Sequence, residues 1–495
     1  MKLRYLLPDQ LVLGNPDSEV ASLAFLPRQV GSDTLFFKCR YHGIDVTAAE
    51  AVAKGARYVV LQHDDPESLT LPRDVTRTFV RDVNRTFAVA CARFFGQVHR
   101  KLTIIGVTGT KGKTTVCHLL DAAMRQAGLR TGLVTSLTRK LPNGEVKAPN
   151  TTPTPLSLHR FLRRVDRQRG THVVLEVSSI GIAESRVHGL RFGAVAFTNL
   201  GSEHLEFHGG RDGYLATKQR LFSDASMHAS PDTLCVINTD DAAGRLVRDA
   251  AAGRIVTFGL HDADLVPDSW SSDGRTMRLR VEDHELLLPF FGEHNVYNAL
   301  AAIALARNVL GSTALAVAAM QHAAPLSGRL EHVPTGLDVD VFVDYAHTPE
   351  SVEAALRAVA SASGSRKRIA VVGCSANSDR GKRPLIARAA ASGSDVCIFT
   401  SDNPDFEDPE AIGRDMLAGL DPATAVSDRV RMIVDRANAI AAAIDLAMPD
   451  GTVVVMGKGS EQVQLVRGER LPHSDLEIAA GVLSAIERRR EEDRR

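Results

Sequence analysis

An α/β fold built on parallel sheets is predicted by three observations. Apolar, β-branched runs of four to six residues recur along the chain. Ala- and Leu-rich helical stretches separate them. A Gly-rich turn joins one such run directly to a helix. The 495 residues, at about 150 per domain, give room for about three domains. The pattern places them at 1–100, 101–327 and 328–495.

In the first segment, residues 34–38 (TLFFK) and 57–62 (RYVVLQ) read as strands, with a helical stretch at 47–55 between them. In the second, residues 103–108 (TIIGVT) lead through a Gly-rich turn into a helix over 113–127. Buried-strand runs follow at 173–177, 194–198 and 234–237. In the third, residues 340–344, 368–372, 396–400 and 452–456 read as parallel strands. Helices at 349–362 and 437–447 lie among them. The tail 487–495 is a charge run that reads as a fraying helix end.

Composition narrows the function classes. Hydrophobic residues are 44% and charged residues 24%, as in a globular protein with real cores. Lys plus Arg and Asp plus Glu both number 59, which argues against general binding of nucleic acid or membrane surfaces. The six cysteines are scattered without a CxxC pair, as expected of reduced cytosolic thiols rather than disulfides or a zinc site. Residues 1–15 carry Asp9 and are broken by Pro8 and Gly14, a poor signal peptide. No apolar run reaches the ~20 residues of a membrane span. A cytosolic, multidomain α/β protein is the expectation.

The segment 106–115 (GVTGTKGKTT) is the clearest chemical signal. Gly109 and Gly112 let the backbone wrap a polyphosphate, and the N–H groups of Thr110, Lys111 and the helix start would face it. Lys113 would neutralise the outer phosphates, and Thr114, followed by Thr115, would reach Mg²⁺. The match to GxxxxGK[ST] is imperfect, because Val107 occupies the first glycine position. The competing reading is an ordinary strand–turn–helix with a capping threonine.

Other residues are ambiguous one by one. Glu176 ends a buried strand, where a carboxylate is costly unless it is paired or metal-bound. Ser178 and Arg186 follow it. His204 and His208, four apart, suit either a shared metal or a structural role. Lys218, taken alone, reads as a surface lysine.

Taken together the motifs resemble the Mur ligases, and most of all their MurE type. The phosphate loop, 175–179 (LEVSS), 198–204 (TNLGSEH) and 214–222 (YLATKQRLF) occur in that family's order. So do 292–298 (GEHNVYN), 328–331 (GRLE), 343–349 (VDYAHTP), 381–384 (GKRP), 402–404 (DNP) and 457–459 (GKG). The resemblance spans about residues 85–470.

It implies a first domain for a nucleotide-sugar carboxylate, a central ATPase-like domain and a Rossmann-like third domain for the amino acid. It implies ADP-forming amide synthesis through an acyl phosphate. Lys113 and Thr114 would hold phosphates and a Mg²⁺, with Glu176 as a further ligand. His204 and an N6-carboxylated Lys218 would hold a second Mg²⁺. Asn295, Asn298, Arg329, Asp344 and His347 would contact ATP. Thr151, Thr152, Ser178 and Arg186 would contact the carboxylate substrate, a UDP-MurNAc-peptide or analogue. Arg380, Asp402, Asn403, Asp405, Gly457 and Glu461 would surround the amino acid.

Three departures bear on the substrates. Leu26 and Pro27 stand where the family has Asp and Ser before Arg28, in the uridine motif, and the loop after it is short at 39–43 (CRYHG). Asp405 stands where diaminopimelate-adding enzymes have Arg. Ser378 stands for a second Arg, with Arg380 two residues on. An Arg–carboxylate pair contributes about 1.5–3 kcal/mol, so both losses disfavour a distal carboxylate. The expectation is a MurE-like ligase that does not add diaminopimelate. The alternatives are a paralogue acting on a non-murein carboxylate and a catalytically silent binding protein.

Overall fold

The β-branched runs pair side by side as parallel strands, because each is apolar on both faces and must be covered twice. The computed structural model describes residues 1–8, 10–147, 150–223, 229–376 and 378–493. Asn377, in the stretch with Ser378, and Arg494 and Arg495 of the charged tail lie outside them. The chain falls into two units: 1–200 with 204–266 and 300–319, and 201–203 with 267–299 and 320–495.

The first unit carries two sheets. One comprises β1 (Leu11–Leu13), β2 (Ser22–Ala24), β3 (Thr34–Phe37), β4 (Tyr58–Gln62) and β5 (Thr76–Val80), in the order β1-β5-β4-β3-β2. Only β1 runs antiparallel. The other comprises β6 (Thr103–Thr108), β7 (Thr131–Val134), β8 (Thr138–Lys140), β9 (Glu145–Lys147), β10 (His172–Glu176), β11 (Ala194–Phe197), β12 (Leu234–Asn238) and β13 (Arg254–Phe258). Its order is β13-β12-β11-β6-β10-β7-β8-β9, parallel from β13 to β7. β6 and β10 lie side by side at its centre, so their C-terminal ends bring the phosphate loop and Glu176 to one edge. Ile104, Leu175, Val177, Phe197 and Ile237 are fully buried beneath it.

The second unit holds an antiparallel sheet of β14 (Ser269–Ser272), β15 (Met277–Val281) and β16 (His284–Leu288). Its main sheet orders β17 (Glu331–His332), β18 (Asp340–Asp344), β19 (Arg368–Cys374), β20 (Val396–Ser401), β21 (Val430–Met432) and β22 (Thr452–Met456) as β17-β18-β22-β19-β20-β21. A hairpin of β23 (Val463–Val466) and β24 (Glu469–Pro472) follows.

Every strand expected from an apolar run is present to within about two residues. The small sheet β14–β16 and the hairpin β23–β24 carry no such run. β14 and β24 are exposed throughout, so no hydrophobic signature marks them. All six cysteines are buried and unpaired. Burial pushes the Cys235 and Cys397 thiols up to about 11 and Cys374 to about 12. Among the described residues no single helix is long and apolar enough to cross a membrane.

Candidate functional site

The phosphate loop is shaped by its glycines. Gly109 has φ +147° and Gly112, the cap of helix Lys113–Gln126, has φ +83°, both costly for other residues. A side chain at Gly109 would strike the Thr198 hydroxyl. That hydroxyl donates to the Lys111 carbonyl at 2.6 Å. The Lys111 N–H donates to Asn199 Oδ1 at 2.9 Å, and the Thr110 N–H to the Asn199 carbonyl at 2.9 Å. Asn199 thus clasps the loop, a role that the sequence reading missed although the residue stood in a quoted motif.

Two ammonium groups meet on this loop. Lys113 Nζ donates to the carbonyls of Gly109 at 3.0 Å and Thr110 at 2.7 Å. Lys218 Nζ donates to the same Gly109 carbonyl at 2.8 Å. Lys218 is fully buried rather than a surface lysine, and lies 4.4 Å from the centroid of the Tyr214 ring. The Tyr214 hydroxyl is 3.1 Å from that of Thr110, so one aromatic side chain supports both the lysine and the loop.

Thr114 and Glu176 come together as expected. The Thr114 hydroxyl donates to Glu176 Oε2 at 3.0 Å, and the Ser136 N–H reaches the same oxygen at 3.0 Å. Thr114 is 5% exposed and Glu176 3%. A hydroxyl and a carboxylate beside Lys113 are hard oxygen donors suited to Mg²⁺ in the company of phosphates. Thr115 is buried in the next position of the helix.

The substrate-side residues adjoin this edge. The Thr152 hydroxyl donates to the Glu176 carbonyl at 3.0 Å and accepts from the Ser178 N–H at 2.9 Å. Ser178 caps the helix Ser179–Ala183, and Arg186 donates to the Thr152 carbonyl at 2.8 Å. Thr151 is half-buried just before them. Arg186 is also paired with Glu184 at 2.7 Å, and Glu184 accepts the His42 N–H at 2.6 Å. A cavity of about 500 Å³ opens here, lined by Lys38, Arg40, His42, Asn84, Glu184 and Phe207 among others.

His204 is exposed with φ +54°, one residue ahead of helix Leu205–His208. The His208 ring packs against Phe207 and Tyr214, with centroids 4.8 and 5.1 Å away. Burial, then Lys218 and His204, pull its pKa down to about 4. Among the described residues no group of three or more His, Cys, Asp or Glu side chains converges on a metal position. An unmodified Lys218 is a cation and no ligand, so a second metal there requires the lysine to be carboxylated.

The second unit holds the remaining residues in two clusters. In the first, Asn295 donates to the Phe291 carbonyl at 2.9 Å, and Asn298 to Asn295 Oδ1 at 2.9 Å. Asp344, at the end of β18, accepts the N–H groups of Leu330 at 2.7 Å and Ala346 at 2.8 Å. The Arg329 guanidinium lies 4.8 Å from the Tyr345 ring centroid, and His347 Nδ1 is 2.7 Å from the Tyr345 carbonyl.

In the second cluster, Asp402 and Asn403 adjoin Gly457 and Glu461. Gly457 has φ +119°, and a Cβ there would stand 3.0 Å from Asp402 Oδ2. Asn403 Nδ2 donates to Glu461 Oε2 at 3.3 Å. Burial raises the Asp402 pKa, against the pull of Arg436 and Lys458. Asp405 is turned to the β23–β24 hairpin: its Oδ1 accepts the Gly468 N–H at 2.8 Å. Arg380 is 72% exposed and paired with Glu407 at 3.0 Å.

Comparison with known proteins places these motifs in a lineage. Residues 107–306 match the Mur ligase middle domain, and residues 328–459 match the Mur ligase, glutamate ligase domain. The chain is 36% identical over 486 residues to the UDP-N-acetylmuramoyl-L-alanyl-D-glutamate--2,6-diaminopimelate ligase of Solibacter usitatus, covering 96% of both. It is 34% identical over 477 residues to the ligase of the same name from Bacteroides fragilis, again with 96% of both covered. A solved structure of a ligase of that name aligns over 98% of this chain and 99% of its own, with TM-score 0.67 and 27% identity. A folylpolyglutamate synthase from Mycobacterium tuberculosis shares the fold at 20% identity and TM-score 0.61, covering 80% of this chain and 94% of its own. The chain belongs to the Mur ligase family of ATP-dependent ligases, in its MurE type.

Proposed function

We propose that the protein joins the carboxylate of a UDP-MurNAc-dipeptide to an amino acid other than diaminopimelate, through an acyl phosphate and with release of ADP. The convergence of Lys113, Thr114 and Glu176 at one sheet edge carries the ATP-dependent part of this reading. Domain limits at 1–100, 101–327 and 328–495 suit the division of labour among donor, ATP and acceptor.

A carboxylate is a poor acyl donor. Mg-ATP supplies the phosphoryl group that makes it a mixed anhydride with a good leaving group. Lys113 neutralises charge on the phosphates, and preorganised cations of this kind favour the transition state. Thr114 and Glu176 would hold one Mg²⁺. His204 and a carboxylated Lys218 would hold another. Asn295, Asn298, Arg329, Asp344 and His347 are assigned to the nucleotide. Thr151, Thr152, Ser178 and Arg186 keep the donor carboxylate at the sheet edge. An amine then attacks the acyl carbon, phosphate leaves with the electron pair of the C–O bond, and the nitrogen loses a proton. No nucleic acid, membrane or second subunit enters this scheme, and a monomer in the cytoplasm suffices for it.

The acceptor assignment is supported by where the nearby guanidinium groups are committed. Arg380 pairs with Glu407, and Arg383 pairs with both Glu407 and Asp415. Asp405 adds a negative charge. An acceptor with a second amine or a small side chain fits this better than one with a distal carboxylate. The test is ADP release with UDP-MurNAc-dipeptide and a panel of amino acids. Turnover at least about tenfold better with lysine or a small amino acid than with diaminopimelate is expected, since each lost Arg–carboxylate pair accounts for about a factor of ten or more. Diaminopimelate as the best acceptor would refute the assignment.

One observation favours a second reading, a donor without a nucleotide diphosphate. Cations at the cavity are already matched: Lys38 lies 2.9 Å from Asp65 and 2.6 Å from Glu67, and Arg40 3.2 Å from Asp64. Silence across the whole panel, with ATP binding intact, would move the assignment to a non-murein carboxylate.

A further inference from the structure

The loop after β22 contains a lysine outside the residues so far assigned to substrates. Lys458 is 0% exposed. Its ammonium donates to Asn403 Oδ1 at 2.9 Å and to Glu461 Oε2 at 2.9 Å, and stands 3.5 Å from Asp402 Oδ1. Asn403 Nδ2 donates to the same Glu461 oxygen, and Asn403 Oδ1 also accepts the Leu465 N–H at 2.9 Å. Three side chains from two loops, 55 or more residues apart in sequence where they cross, are thus tied to one buried cation.

Burying an ammonium costs several kcal/mol unless its partners satisfy it fully. Here a carboxamide and two carboxylates do so. The same bonds fix what the partners present. With its oxygen turned to Lys458 and Leu465, Asn403 must aim its amide N–H groups at Glu461. With one oxygen held twice, Glu461 keeps the other free to accept, and it is the partner open to solvent, at 35% exposure. The nearby Arg436 guanidinium is neutralised by Asp475 at 2.7 Å, so one ammonium against the carboxylates of Asp402 and Glu461 leaves the cluster with a surplus of negative charge when both are ionised, complementary to an amino acid's ammonium group.

We infer that Lys458 is a positioning residue for the amino-acid acceptor: it sets the orientation of Asn403 and Glu461 without touching donor or ATP. The inference rests on the ligase reading above and deepens it.

The test separates the two half-reactions. Hydroxylamine, a small nucleophile, replaces the amino acid and traps the acyl phosphate as a hydroxamate. A C–N bond forms, the acyl C–O bond breaks, phosphate departs and the nitrogen gives up a proton. In Lys458→Met, hydroxamate formation with UDP-MurNAc-dipeptide and the KM for ATP should stay within about twofold of wild type. The KM for the best amino acid of the panel should rise at least tenfold. Lys458→Gln, which keeps an N–H donor one bond nearer the backbone, should recover part of that loss. The double variant Lys458→Met/Asn403→Ala should be little worse than either single one, because both remove the same arrangement.

Equal loss of hydroxamate and amide in both Lys458 variants would overturn the inference in favour of a purely structural role, and an unchanged amino-acid KM would overturn it outright. Wild-type protein that makes no hydroxamate overturns the donor assignment beneath it, and is told apart by failing before any substitution is made.

Discussion

Lys113 is the residue on which the ATP chemistry turns. Its ammonium already lies against the carbonyls of Gly109 and Thr110, where the outer phosphates would be received. Lys113→Ala should lower ADP formation at least about a hundredfold, the scale of losing one preorganised charge at a developing transition state. The fold should be intact, because no packed core depends on this side chain. Circular dichroism and a coupled ADP assay check both halves, and wild-type turnover in the variant would sink the phosphate-loop assignment. Lys113 and Thr114 were legible in the sequence because strand, glycine turn and helix lie within one short stretch, whereas Glu176, 62 residues beyond Thr114, stood out only as a costly carboxylate on a buried strand and took its role from the resemblance. Asn199, Tyr214 and Lys458 were quoted in motifs but given no role. What they do depends on partners between 55 and 104 residues away, which no local pattern reveals.

At the level of elements, the helix Pro155–Arg167 meets the short turn Val98–Lys101 through two histidines. The rings of His99 and His159 lie 5.5 Å apart, edge to face, and are 5% and 1% exposed. Burial, with Arg100 and Arg191 nearby, lowers the His99 pKa to about 4, and burial, with His99, lowers that of His159 to about 3. Both rings are therefore neutral in the folded protein, while the unfolded chain takes up protons from about pH 6.5 downward. Their contribution to stability is complete above pH 6.5. It is lost progressively as pH falls from there towards 4 for His99 and 3 for His159. Thermal melts from pH 7.5 to 4 should show this decline, and His159→Leu should flatten it. An unchanged slope in that variant would mean that other groups carry the effect. The buried strands were legible at this scale, since a run such as 173–177 has no alternative to a sheet interior. The small sheet β14–β16 was not. β14 is exposed throughout, and β15 alternates buried Met277, Leu279 and Val281 with exposed Arg278 and Arg280, the signature of a half-buried strand rather than the continuous apolar run by which the other strands were read.

For the whole molecule, the order of the ten motifs outweighed every single residue. Lys218 read alone was a surface lysine, and it is fully buried beside the phosphate loop. Binding energy should be visible globally as well. Saturating Mg-ATP, at about a hundred times its Kd, should stabilise the wild-type protein by about 2.7 kcal/mol and raise its melting temperature accordingly. The Lys113→Ala variant should show much less of that shift, and an equal shift in the two proteins would place ATP elsewhere. Length and composition limited the number of domains, yet only the three-dimensional arrangement showed how residues from three segments, 1–200, 204–266 and 300–319, form one unit.

The burial of all six cysteines has a practical corollary. A thiol held above its ordinary pKa and closed off from solvent reacts slowly with maleimides and iodoacetamide. The native chain is therefore a quiet background for labelling. Leu69 in the first unit is 90% exposed and Phe406 in the second 79%. Cysteines introduced at those two positions would take a donor and an acceptor dye with the six native thiols left in place, and energy transfer between them would follow the two units through a turnover.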